Sequence, residues 1–152
     1  MSKMSKWSKN SAKKTVLKTI SYPPKILIAW KEAIKGNKKI ETWLISNGYK
    51  ELGIFCHALR NDYKAKNWLF ENGYPHLLAL INGAEGDEKA LFWLKKLKFD
   101  FLFHMGKAAD SYIESKKFLR IKDPLLLAIA LEMEIIKDEI EDNYKDPHKL
   151  NP

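Results

Sequence analysis

Four aromatic side chains, Trp43, Trp68, Trp93 and Phe118, follow one another at intervals of 25 residues, and a leucine stands immediately after each, at Leu44, Leu69, Leu94 and Leu119. A fixed period of this length implies one supersecondary unit used several times, each copy too small to bury its apolar face without the next. Other columns keep the same interval. Leu27, Leu52, Leu77, Leu102 and Leu127 make one; Trp30, Phe55, Leu80, Met105 and Ala130 a second; Ala33, Ala58, Gly83 and Ala108 a third. Within a unit they fall at i, i+3 and i+6 of one helical face, and the small third residue admits a close neighbour.

A second helix per unit follows from Ala65, Trp68 and Leu69, then Ala90, Trp93 and Leu94, with Lys64, Lys66, Lys89 and Lys95 around them. That stripe is amphipathic and places this helix outside the first. Asn37, Asp62, Asp87 and Ser111 stand near its start, where a short side-chain oxygen accepts unpaired backbone N–H groups. Asn47-Gly48 and Asn72-Gly73 stand past its end, where glycine takes the left-handed conformation that closes a helix. Pro23-Pro24, Pro75 and Pro124 fall in the first turn of the next inner helix, where proline forfeits no hydrogen bond.

The pattern predicts helices near 12–20, 24–35, 38–46, 50–60, 62–71, 75–84, 87–97, 99–109, 111–119 and 124–142, and no strand. The expected fold is all-α: an α-solenoid of four to five stacked 25-residue helical hairpins, with the long last helix as a cap. The expected boundaries are a flexible basic tail at 1–11, one helical-repeat domain at 12–143 and a tail at 144–152. The tryptophan column reads as repeated core, each ring packed on the next unit.

The run Trp68-Leu69-Phe70-Glu71-Asn72-Gly73, then Pro75-His76-Leu77-Leu78-Ala79 and Asn82-Gly83, resembles the ankyrin repeat over residues 38–122. An ankyrin unit is longer, near 33 residues, and uses the difference for a β-hairpin finger. Here Pro75 follows Gly73 after one residue, which leaves no room for that finger. The resemblance implies a finger-less, all-helical relative with a protein-binding role.

Charge is unevenly spread. Residues 1–39 hold 11 lysines and a single acid, Glu32, whereas the rest of the chain holds 16 basic and 18 acidic groups. Ser-Lys recurs at 2–3, 5–6 and 8–9, with Met4 and Trp7 as apolar company, which predicts a solvated tail. The lone Cys56 excludes an internal disulfide and suits a reducing compartment, so a cytoplasmic location is expected. No apolar run is long enough for a membrane span.

Candidate chemistry is sparse. His57, His76 and His104 lie in successive inner helices but in different repeat columns, which predicts that they do not converge. Glu85 with Asp87, and Asp138 with Glu139 and Asp142, read as a turn and a solvated helix face, and Asn82-Gly83-Ala84-Glu85-Gly86 lacks the strand and Lys-Ser/Thr of a phosphate loop. The expectation is therefore a non-enzymatic adaptor without cofactor or metal, binding another protein through exposed inner-helix positions: Glu32, Lys35, His57, Arg60, Asn82, Glu85, Lys107 and Asp110. The alternative is binding of nucleic acid or an acidic surface through Lys3, Lys6, Lys9, Lys13, Lys14 and Lys18; with Arg60 and Arg120 the sole arginines, that binding would be electrostatic rather than base-specific. Self-association between the basic beginning and the acidic last helix is a further possibility.

Overall fold

The computed structural model describes residues 17, 18 and 20–145. Among them are nine α-helices and no strand: α1 Pro24–Ile34, α2 Lys38–Ser46, α3 Lys50–Leu59, α4 Tyr63–Glu71, α5 Pro75–Ala84, α6 Glu88–Lys96, α7 Asp100–Ala109, α8 Ile113–Lys122 and α9 Pro124–Lys145. Helix boundaries follow local chemistry. Asn37 Oδ1 accepts Ile40 N–H at 3.1 Å, Asp62 Oδ1 accepts Ala65 N–H at 3.2 Å, and Asp87 Oδ1 accepts Lys89 and Ala90 N–H at 3.0 and 3.2 Å. Left-handed residues close the helices: Gly36, Asn61, Gly86 and Ser111 after α1, α3, α5 and α7, and Gly48, Gly73 and Lys98 after α2, α4 and α6. Ser111 is thus a helix-ending residue, not the expected cap of α8, and its hydroxyl donates to Glu134 instead.

The expectation of an open solenoid of stacked hairpin repeats, and with it the ankyrin-like description, is overturned by α9. This helix turns back to pack along α1, α7 and α8 and reaches α3 and α5 as well. In a solenoid each unit touches its neighbours alone; here the last helix rests on the first. Its apolar half supplies Leu127, Ile129, Ala130, Met133 and Ile136, all buried. Its polar half keeps the expected solvated face at Asp138, Glu139 and Asp142, but Glu134 and Lys137 turn inward. Lys137 Nζ pairs with Glu85, donates to the Leu59 carbonyl at 3.0 Å and meets Asn61 Oδ1 at 3.4 Å, while Glu134 accepts Lys116 Nζ at 3.1 Å.

Burial is graded as in a globule rather than uniform as in an array. All ten residues of α5 are buried, whereas α1 exposes Ile28 and α7 exposes Phe101. The molecule is a closed helical bundle centred on α5, and the 25-residue interval marks helix boundaries rather than independent stacking units. Where α5 meets α7 the backbones are close: a Cβ on Gly83 would lie 2.7 Å from Leu91 Cδ2, and one on Gly106 would lie 3.6 Å from Gly83 Cα.

Two smaller expectations also change. Leu44, Leu69, Leu94 and Leu119 are fully buried, but the aromatic column beside them is only partly so, with Trp43 43 % exposed. Those rings stack on the aromatic six residues on: Trp43 on Tyr49 at 6.4 Å, Trp68 on Tyr74 at 6.1 Å and Trp93 on Phe99 at 6.3 Å. Of the helix predicted at 12–20, residues 17, 18 and 20 are not helical; the rest of it, the tail at 1–11 and the chain beyond 145 lie outside the described residues. Tyr144 and Lys145 still belong to α9.

Candidate functional site

The N-terminal strap, residues 17, 18 and 20–23, is pinned to the bundle at separate points. Lys18 N–H donates to the Gly73 carbonyl at 2.8 Å, and His76 Nε2–H donates to the Lys18 carbonyl at 2.8 Å. Tyr22 O–H donates to Glu51 Oε2 at 2.7 Å. Burial pushes the His76 pKa down, so the ring is neutral and its proton sits on Nε2, where the carbonyl needs it. Burial, and then the Glu51 carboxylate, push the Tyr22 phenol up, which keeps it a donor.

Between this strap, α1, α7 and the start of α9 lies a groove of about 610 Å³. Leu27, Trp30, Leu77, Leu102 and Met105 form its apolar wall, and Leu17, Ile20, Phe99, Phe101 and Leu126 extend it outward. Lys18, Lys98, Asp100 and Asp123 supply its charge. Both acids are engaged: Asp100 pairs with Lys95 at 3.9 Å, and Asp123 Oδ1 caps α9 by accepting Leu126 N–H at 3.2 Å. Trp30 packs edge-on against Phe55 at 4.9 Å, and its buried Nε1–H has no acceptor among the described residues.

A smaller cleft of about 350 Å³ lies where the second half of α9 crosses the ends of α5 and α7 and is lined by Asn61, Glu85, Asp110, Ser111, Lys137, Asp138 and Glu141 among others. Burial raises the pKa of Asp110, helped by Glu88 and Glu134, and raises that of Asp138, helped by Glu134, Asp142 and Glu141. Among the described residues no cluster of three His, Cys, Asp or Glu side chains is placed to hold a metal.

Most of the residues expected to form one partner surface make contacts within the chain. Glu32 pairs with Lys35 at 3.5 Å, and Arg60 Nη2 donates to the Ile34 carbonyl at 3.1 Å. His57 Nε2 lies 3.2 Å from Glu41. Asn82 is buried rather than exposed. Glu85 is held by Lys137 and Lys66, and Lys107 lies over the Tyr112 ring at 4.4 Å. Of these positions α9 engages Glu85 through Lys137, while Lys35 and Arg60 stay exposed and Glu32, His57, Lys107 and Asp110 are half-buried. Of the six tail lysines, Lys18 alone is described, at the groove; Lys3, Lys6, Lys9, Lys13 and Lys14 lie outside the described residues. The three histidines do not meet: His104 Nδ1 shares a hydrogen with Ser115 Oγ at 2.9 Å, and its ring stacks on Phe118 at 3.8 Å.

Sequence reasoning missed Trp30, Lys98, Phe101 and Leu126 as groove residues and Ile113 and Ile121 as surface residues. Lys98 carried a signal, because it occupies the position of a helix-closing glycine. Ile121 carried another, an apolar residue between Arg120 and Lys122. No known protein family matches this chain, and neither a curated protein nor a solved structure shows significant similarity to it. No helix among the described residues is long and apolar enough to cross a membrane.

Proposed function

We propose that this chain is a non-enzymatic interaction protein that binds another protein through the outer face of α8. The observation that carries the reading is the exposure of Ile113 and Ile121, 65 % and 80 %, on a helix whose inner side already buries Ser115 and Leu119. Apolar residues presented this way are what a partner would bury. Phe101, 45 % exposed, extends the surface, its ring 6.0 Å from Phe118 one turn before Ile121. Arg120 and Lys122 flank Ile121 and are exposed, which favours a partner with an acidic rim around an apolar centre.

The test is affinity capture from the native cell with nuclease present, comparing the natural chain with Ile113→Asp/Ile121→Asp. Both positions are solvent-facing, so helicity should be unchanged while captured protein falls at least tenfold. Equal capture by the two would end the reading.

The lysine excess of residues 1–39 favours a second reading, electrostatic binding of nucleic acid or another polyanion. Replacing Lys3, Lys6, Lys9, Lys13 and Lys14 with glutamine should then reduce both RNA affinity and its salt dependence. An unchanged slope of log affinity against log salt would remove that reading and leave the first intact.

A further inference from the structure

We infer that the groove beneath the N-terminal strap binds a single-chain anionic amphiphile of medium-chain fatty-acid size. Its volume of about 610 Å³ falls in the range of small-molecule sites, roughly 300–1,000 Å³. The wall formed by Leu27, Leu77, Leu102 and Met105 has the chemistry of an acyl-chain slot.

The charge at the groove selects the head group. Among the described residues four charged side chains line it, two of each sign, but they are not equivalent. Asp100 is paired with Lys95 and Asp123 is spent on capping α9. The ammonium groups of Lys18 and Lys98 have no such engagement among the described residues, and both side chains are exposed. The groove thus offers positive charge at its rim and hydrocarbon within, the complement of a carboxylate on an alkyl tail. Backbone geometry supports the placement: Lys98 keeps φ at +66 where the equivalent residues after α2 and α4 are glycines, so a long cationic side chain stands at a position whose backbone favours none.

The strap borders the site. It rests on the bundle by hydrogen bonds from Lys18 and Tyr22 to α3, α5 and the turn before α5, and it forms one side of the groove. Trp30 in the opposite wall is the reporter. Its indole is buried with the N–H unpaired among the described residues, so an arriving acyl chain changes the ring's surroundings directly.

The experiment is calorimetric titration of the full chain with dodecanoate below its micellar concentration, with octanoate, dodecanol and dodecyltrimethylammonium as comparisons, and tryptophan emission read in parallel. One saturable site is expected, with dodecanoate roughly 250-fold tighter than octanoate, since each of the four extra methylenes is worth about fourfold in affinity when buried. Dodecyltrimethylammonium should bind at least tenfold more weakly than dodecanoate. Lys98→Gln should weaken dodecanoate severalfold and leave dodecanol unchanged, and Trp30→Phe should abolish the emission change while heat is still released. Equal affinity for the anionic and cationic amphiphiles, uptake without saturation, or an emission change that survives Trp30→Phe would each overturn the assignment. The Ile113→Asp/Ile121→Asp variant should bind dodecanoate as the natural chain does, so the fate of this site and that of the protein-binding face are read separately.

Discussion

Met133→Ala is the most direct test of closure. Met133 lies in the middle of α9 with none of its surface exposed, and truncating a buried methionine to alanine costs about 2–5 kcal/mol. What separates a closed bundle from a stack of units is where that loss is felt. In a stack, weakening the terminal helix frays the end and leaves distant units as stable as before. In the bundle, α9 rests on α1, α3, α5 and α7, so the loss is shared by the whole molecule. Cys56 in α3 is the natural probe: it is the sole cysteine, only 2 % exposed, and burial with the neighbouring Glu41 pushes its pKa up to about 12. It therefore reacts with a thiol reagent only when the core opens. A loss of about 3 kcal/mol corresponds to roughly 150-fold faster labelling of Cys56 at neutral pH, provided reclosing outpaces reaction. Labelling unchanged within a factor of about three, alongside a loss of α9 helicity, would refute the closed bundle.

Further perturbations follow from single contacts. Lys98→Gly should stabilise the protein by about 0.5–1 kcal/mol, because relief of left-handed strain at φ +66 exceeds the extra entropy of glycine in the unfolded chain; a lower urea midpoint would contradict this. Tyr22→Phe leaves the buried Glu51 without its 2.7 Å donor and should cost about 1–3 kcal/mol in denaturant unfolding, with no loss at all counting against the strap's anchoring role. His76 has a pKa lowered below 6.5 by burial, with only the carbonyls of Lys18 and Tyr74 acting against that, so its contribution to stability is complete above pH 6.5 and is lost as pH falls toward the lower folded value. The urea midpoint should drop between pH 7 and 5, and His76→Phe should flatten that slope; an equal slope in the variant would place the titration elsewhere, His104 being the other histidine with a lowered pKa.

Local structure was legible in the sequence because local chemistry decides it. Asn37, Asp62 and Asp87 cap the helices they precede, and helices begin at Pro24, Pro75 and Pro124, because these residues act within one turn of themselves. Ser111 broke that rule for a tertiary reason: Glu134, 23 residues away, takes its hydroxyl. The aromatic column was half legible. Each leucine is core, but the adjacent ring lies at the edge of the bundle, where stacking on Tyr49, Tyr74 or Phe99 satisfies it without full burial.

Closure was not legible, since the direction in which a terminal helix turns is fixed by surfaces that the sequence brings together only after folding. Its traces are visible in retrospect. Ile28, Leu78 and Phe103 lie between the inner-helix columns and are apolar as well, more than a stack requires, and α9 adds Leu127, Ala130 and Met133 to the core there. Lys137 stood alone in an acidic stretch; it is the residue that reaches Glu85 and the Leu59 carbonyl. The same event touches one edge of the expected binding face. Lys137 of α9 reaches Glu85, and Asn82 is buried within α5, whereas Lys35 and Arg60 remain exposed. Two further surfaces that no sequence column announced lie where α9 leaves the bundle open: the outward side of α8, and the groove that α9 borders only with its first turn.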